Sequence, residues 1–298
     1  MNSDTQYISS GDPAYPALLS HISDPPEGLW FRGEFPSDDM PKAAIIGSRA
    51  CSEYGISVAT LLARDLAKQG VAVISGMARG IDAAAHKAAI EAGGKTIAVL
   101  GSGVDVCYPP EHDQLMEQII NNGVIISEYP PGTKPERYFF PQRNRIISGL
   151  SNCIVVVEAA EKSGTSVTVG QALEQGRDVF AVPGSIYSRL SKGTNELIKM
   201  GAIPATCADD ILRELKSRSW HKTNCEAEVS DEAENIIAKN IAPEEKLVYD
   251  CVGLEGAHVD EIIGKSGLPA ATVQYLLVKL EIAGYVKRLA GGRFARRT

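Results

Sequence analysis

The chain has 298 residues, 44% of them hydrophobic, which allows one large domain plus a small one or two medium ones, and it holds no run of roughly 18 apolar residues that would span a membrane. Its start, Met1-Asn2-Ser3-Asp4, is polar and acidic, unlike a secretory leader, and its six cysteines stand singly, so a cytoplasmic location, no membrane partner, free thiols and no metal or other cofactor are expected. The formal net charge of −7 at pH 7 excludes a polyanionic partner only if the acid is evenly spread, and it is not.

Residues 1–41, read as a lead-in extension, carry one base against seven acids, and residues 42–216 carry eighteen of each. Residues 217–242 carry three against five, and residues 243–298 eight against seven. The surplus acid is therefore expected outside the folded regions. A neutral domain can still present a basic crevice, because local potential, not total charge, attracts an anion.

From Ala43 onward, apolar runs alternate with amphipathic stretches. Strands are expected over Ala43 to Ile46, Val71 to Ile74, Thr96 to Leu100, Val124 to Ile126, Ile154 to Val157 and Val179 to Val182. Each is apolar throughout, the pattern of parallel strands covered on both faces. Helical patterns lie between them at Ile56 to Gln69, Ala83 to Ala92, Glu111 to Asn121 and Thr168 to Gln175, followed by Gly70, Gly93, Gly123 and Gly176, each suited to a left-handed cap. Cys153 reads as a small core residue. The expected fold of residues 42–216 is α/β, a doubly wound, mostly parallel Rossmann-like sheet.

In such sheets ligands bind beyond the carboxyl ends of the strands. The segments there are Gly47-Ser48-Arg49, Ser75-Gly76-Met77-Ala78-Arg79-Gly80-Ile81-Asp82, Gly101-Ser102-Gly103, Ser127 to Gly132, and Glu158 with Ser163-Gly164-Thr165. Glycine lets backbone amides approach an anion, and helix N-termini add partial positive charge, so phosphate is the expected guest, with Arg49 upon it. Arg79 either lies near that phosphate or braces its own loop against a carboxylate such as Asp82. Asp82 and His86, one helical turn apart, read as a cap and its hydrogen-bond partner rather than an acid/base pair, and no catalytic residue is expected. Gly101-Ser102-Gly103 lacks the third glycine and the later acidic residue of a dinucleotide site. The stretch Phe139-Phe140-Pro141-Gln142-Arg143-Asn144-Arg145 reads as a loop that sets two arginines and an amide beside aromatic rings. Forked guanidinium groups suit phosphate and ring faces suit unstacked bases, the two devices that single-strand binders combine. The proline-rich segment from Tyr129 to Pro135 is expected to shape the wall of that channel.

Residues 217–242, dominated by Ser, Asn, Lys and Glu, read as a linker. Residues 243–298 read as a small C-terminal winged helix-turn-helix domain. Its helices are expected at Pro243 to Leu254, His258 to Gly264 and Ala270 to Ala283, with the turn Ser266-Gly267-Leu268-Pro269 and a wing at Gly291-Gly292. Helix three offers Gln274 and Lys279 but little base-reading chemistry, so an interaction module or non-specific DNA contact is expected of this domain.

Taken together, Gly47-Ser48-Arg49, the Ser75 to Asp82 turn with His86, Thr96 to Gly103 and the Phe140 to Gly149 segment resemble the DNA-processing protein A family (DprA, also called Smf). Asp12-Pro13-Ala14-Tyr15-Pro16 with Asp24-Pro25-Pro26 is similar to the family's lead-in, and Ala181-Val182-Pro183-Gly184 with Gly193-Thr194-Asn195 to its closing strand and helix. The resemblance runs from about Gly11 to Leu215. It implies a dimeric, Rossmann-like protein that binds single-stranded DNA, protects it, and loads the RecA recombinase during natural transformation. It implies a mediator and not an enzyme. By the same likeness Gly47, Ser48 and Arg49 would grip phosphate with Arg79 nearby, while Lys134, Phe139, Phe140, Arg143, Asn144 and Arg145 would shape the channel and its base contacts. Two departures stand out: no room is expected before the lead-in for the family's N-terminal helical domain, and Thr165-Ser166-Val167-Thr168-Val169-Gly170 replaces the family's Ser-Leu-Ile-Thr-Ala type run. The rival class is a Rossmann-type nucleotide hydrolase related to the lysine-decarboxylase-like phosphoribohydrolases, of whose glycine loop only Ser163-Gly164-Thr165 remains.

Overall fold

The computed structural model describes residues 5–161, 164–224, 243–252, 257–283, 285–289 and 292–296, which form two compact units, Met1–His221 and Lys222–Thr298. The first unit holds β1 (Gln6–Ser9), α1 (Ala17–Ser20), β2 (Gly28–Gly33), β3 (Lys42–Ile46), α2 (Glu53–Lys68), β4 (Ala72–Ser75), α3 (Ile81–Glu91), β5 (Thr96–Val99), α4 (Asp113–Asn122) and β6 (Gly123–Ser127). It continues through α5 (Phe139–Gly149), β7 (Cys153–Val156), α6 (Thr165–Glu174), β8 (Asp178–Ala181), α7 (Lys192–Lys199), β9 (Ile203–Pro204) and all but the last three residues of α8 (Ala208–Asn224). One nine-stranded sheet runs β1-β2-β6-β5-β4-β3-β7-β8-β9, parallel from β6 to β9, with β1 and β2 added antiparallel at one margin.

The strands are apolar throughout because both faces are covered. Ala43 and Ile45 of β3 face α2, α3 and α8 through Leu62, Leu66, Ala85 and Ile211, whereas Ala44 and Ile46 face α1, α5 and α6 through Leu19, Ile146 and Val169. Cys153 packs in the first of these layers. No helix among the described residues is long and apolar enough to cross a membrane.

Three expectations are corrected here. The acidic segment ahead of residue 42 does not lie outside the fold: β1 and β2 pair onto β6, and Tyr15, Leu19, Ile22 and Leu29 enter the core. Gly70, Gly93 and Gly176 take the left-handed backbone with φ of 75°, 75° and 67°, but Gly123 is extended at φ 172° and opens β6. Its backbone lies so close to Thr96 of β5 that no side chain would fit. Finally, Phe139 to Arg145 is not a loop but the start of α5. Pro141 falls in the first turn, where a missing N–H breaks no helical hydrogen bond.

In the second unit, α9 (Pro243–Asp250), α10 (Val259–Ser266) and α11 (Ala270–Ile282) pack on a sheet of β10 (Ala257–His258), β12 (Arg293–Arg296) and β11 (Val286–Leu289), in that order. Val248, Ile262, Leu277, Leu280 and Phe294 fill its core, so Phe294 packs inward. Gly267, at φ 67°, turns the chain between α10 and α11. This is a winged helix-turn-helix, and Lys279 on its third helix is paired with Glu245. Residues 217–224, expected as the start of a linker, instead continue α8, while residues 225–242 and Gly291 of the expected wing lie outside the described residues.

Candidate nucleic-acid interface

The chain reverses direction at β3: α2 and β4 lie to one side, and α5 carries the chain back across the sheet to β7 on the other. A crevice opens at such a switch point because successive connections leave in opposite directions. Here it encloses about 680 Å³. Its lining comes from the exit of β3 (Gly47, Ser48, Arg49), the exit of β4 (Ala78, Asp82), Tyr108, one face of α5 and the start of α6. The α5 face is Phe140, Arg143, Asn144 and Ile147, the spacing that points four side chains the same way.

The predicted residues divide into groups. Gly47, Ser48, Arg49, Phe140, Arg143 and Asn144 meet at the crevice. Arg49 is exposed, with its guanidinium carbon 5.2 Å from the centre of the Phe140 ring, and it has no carboxylate partner among the described residues. Arg143 is different: only 3% exposed, it donates from Nη1 to Gly76 O at 3.0 Å and also to Val99 O. A Cβ at Gly76 would meet this guanidinium at 2.6 Å, so glycine is required there. Burial pushes Arg143 down to about 10, against the pull of Asp82, and it stays charged at neutral pH. Asp82, also buried, accepts from Gly76 N at 3.1 Å and Ala78 N at 3.3 Å; burial raises its carboxyl and Arg143 lowers it. Together they form a charged brace beneath the crevice that holds the 76–80 turn, in which Met77 adopts φ 54°.

Arg145 points elsewhere. It forks onto Glu128 at 2.9 and 2.7 Å and donates to Asp24 at 3.0 Å, tying α5 to the end of β6 and to the lead-in. Arg79 pairs with Glu111, not with Asp82, at an exposed position. His86 does not bond Asp82 either. Its Nδ1 lies 2.6 Å from Thr96 Oγ1, whose hydrogen goes to Val73 O, so Nδ1 carries the proton and donates. Lys134 is exposed ahead of α5 and does not line the crevice. Phe139 packs against Tyr129 and Tyr138, with ring centres 3.9 and 4.4 Å away, while Tyr108 stands 5.5 Å from Phe140. The expected wall from Tyr129 onward thus meets α5 through an aromatic cluster.

Two helix ends near the crevice differ in what they offer an anion. The N-terminus of α2 is occupied by Glu158, whose carboxylate accepts from Ser52 N at 2.8 Å and from Ser52 Oγ at 2.6 Å. The N-terminus of α6 has no side-chain cap, and Thr165 and Thr168, 8% and 3% exposed, line the crevice without a hydrogen bond among the described residues. Ser163, ahead of Thr165, lies outside the described residues. Arg137 and Tyr108 also line the crevice and were missed from the sequence, whereas the start of α6 falls on Gly164-Thr165, within a segment expected at the ligand edge.

The model for the DNA recombination-mediator protein A family matches residues 6–216, and the DprA winged helix domain model matches residues 232–292. The chain belongs to the DprA/Smf family. Among DprA/Smf relatives, the DNA processing protein DprA of Streptococcus pneumoniae is 45% identical over 205 residues, covering 69% of this chain and 72% of the relative. Protein Smf of Escherichia coli is 40% identical over 280 residues, covering 93% and 74%. The X-ray structure of the Streptococcus pneumoniae DprA superimposes with a TM-score of 0.67 at 44% identity, covering 72% of this chain and 75% of that one. The DprA of Helicobacter pylori, whose structure concerns single-stranded DNA binding, matches with a TM-score of 0.63 at 30% identity, covering 72% and 97%.

Proposed function

We propose that the chain binds single-stranded DNA along this crevice. One observation carries the reading: two arginines without carboxylate partners among the described residues, Arg49 and Arg137, a helix end with two hydroxyls that make no hydrogen bond among them, and the Phe140 and Tyr108 rings share one opening. Phosphates lie on Gly47, Ser48, Arg49 and Asn144, and unpaired bases lean on Phe140. Arg79 and Lys134 extend the contact at the surface, while Arg143, Arg145 and Phe139 hold α5 in place for it. The single-strand structure of the Helicobacter pylori relative supports this reading.

Acting in the cytoplasm as a homodimer, the protein protects incoming strands and loads RecA upon them in natural transformation. It is a mediator and not a catalyst. Two crevices on one strand raise the effective concentration of the second contact, so long strands bind more tightly than short ones.

The test is fluorescence anisotropy with long single-stranded and double-stranded DNA at two salt concentrations. Single strands are expected to bind more tightly, and each neutralised phosphate contributes about −0.7 to the slope of log affinity against log salt. Arg49→Ala is expected to weaken binding and flatten that slope without lowering thermal stability. Equal binding of both DNA forms, or an unchanged slope with lost stability, would overturn the assignment.

A further inference from the structure

Outside the crevice, two strongly exposed large apolar side chains of the first unit stand together on the loop between β8 and α7, where Tyr187 is 90% exposed and Ile186 77%. This loop is firmly built. Ser188 N donates to Ser185 O at 3.0 Å and Ser191 N to Ser188 O at 3.2 Å, making two consecutive turns, and Ala159 N donates to Leu190 O at 2.8 Å. The Asn195 amide grips Gly184 from both sides, accepting from its N at 3.2 Å and donating to its O at 3.0 Å. Tyr54, in the first turn of α2, donates to Pro183 O at 2.9 Å. A ring carried on a pinned loop can meet a partner with little loss of chain freedom.

Two and five residues beyond Tyr187, Arg189 and Lys192 are exposed and line a hollow of about 430 Å³ with Ala160 and Glu161. Neither cation has a hydrogen bond or ion pair among the described residues, although Glu161 lines the same hollow. The loop leaves the same edge of the sheet as Arg49: β8 is the second neighbour of β3 in the parallel order β3-β7-β8. At a strand spacing of about 4.8 Å the two exits lie about 10 Å apart.

An exposed ring flanked by two unpaired cations matches a strand with negative phosphates and unpaired bases. A second copy of the chain fits less well, because a two-fold contact on this patch would set Arg189 and Lys192 against their own copies. We infer that Tyr187, Arg189 and Lys192 form a second station for the DNA strand as it leaves the crevice, Tyr187 stacking a base and the two cations holding the phosphates beside it. This rests on the single-strand reading of the crevice.

The experiment is an anisotropy titration of the full chain with oligothymidylates of about six and about twelve nucleotides, within the range of single-strand site sizes. It compares wild type, Tyr187→Ala, the double variant Arg189→Ala/Lys192→Ala, and Arg49→Ala. The expected result is unchanged affinity of the loop variants for the shorter oligonucleotide and at least about fivefold weaker binding of the longer one, the lower end of what loss of one stacked base produces. The double variant is also expected to flatten the salt slope for the longer one by about 1.4, two phosphates' worth. A 5-iododeoxyuridine placed toward the end of the longer oligonucleotide is expected to crosslink to Tyr187. Unchanged affinities at both lengths, equal weakening at both, or an altered oligomeric state with DNA binding intact would each overturn the station. If Arg49→Ala abolishes binding while the loop variants do not alter it, the station alone fails. If the wild type binds neither oligonucleotide, the crevice reading fails and takes the station with it.

Discussion

Arg143→Met removes the guanidinium beneath the crevice while keeping most of the side chain's bulk, and so separates a brace from a DNA ligand. The variant strands Gly76 O and Val99 O, which lose their donor, and leaves the Asp82 carboxyl without its cationic neighbour. Each stranded buried group costs about 1–3 kcal/mol, and breaking a buried charge arrangement by removing one partner costs about 3–5 kcal/mol in all. With a urea dependence of about 2–3 kcal/mol per molar, the unfolding midpoint is expected to fall by about 1–2.5 M. The loss has a pH signature. Burial raises the Asp82 carboxyl and Arg143 holds it down, so the variant carries it higher still. A carboxyl raised in the fold favours folding below its unfolded value and loses that contribution as pH rises, by about 1.4 kcal/mol per unit. The deficit against wild type is therefore expected to widen as pH rises above the ordinary carboxylate range, read by urea denaturation at several pH values. Gly76→Ala, which drives a Cβ into the same guanidinium, is expected to cost less in the Arg143→Met background than alone. A midpoint within about 0.3 M of wild type, flat across pH, with DNA affinity lost would refute the brace and make Arg143 a ligand.

Phe140→Ala is expected to weaken single-strand binding by about 1–3 kcal/mol with little change in the salt slope, since a stacked base and not a phosphate is lost; anisotropy at two salt concentrations decides it. Burial pushes His86 from 6.5 down to about 3, so only the unfolded chain takes up the proton as pH falls below 6.5. Its contribution is present above pH 6.5 and is lost progressively toward pH 3, about 2 kcal/mol by pH 5. His86→Gln, which does not titrate, is expected to show a shallower fall in stability between pH 7 and pH 5 in urea titrations.

The central strands were legible because burial on both faces demands uninterrupted apolar runs, as in Ile154 to Val157. The crevice loops were legible because the carboxyl edge of such a sheet is where ligands are met, and Gly47, Ser48 and Arg49 carry the marks of an anion site. What escaped was set by distant partners or by a proline in an unexpected role. Phe-Phe-Pro suggested a loop, yet Pro141 occupies the one turn of a helix that accepts it. Once that helix is recognised, Phe140, Arg143, Asn144 and Ile147 share a face, and a charge among them must be inward. Arg145 is claimed by Glu128 and by Asp24, the latter 121 residues away, and His86 by Thr96 on β5. Local pattern does not reveal such assignments. The acid count misplaced the lead-in because charge says where a surface is, not whether the segment beneath it pairs with a strand.

That pairing shields a vulnerable margin. Between the lead-in and β9 lies a ladder of apolar strands that, left open, would recruit any extended chain. On one side the guard is minimal: β9 is two residues long, and Pro204 has no amide hydrogen to offer a newcomer. On the other, β2 occupies the backbone of Val124-Ile125-Ile126-Ser127. Chains trimmed back to Lys42 would expose that greasy ribbon and should clump by strand addition, so the residues before it act as a built-in guard against aggregation.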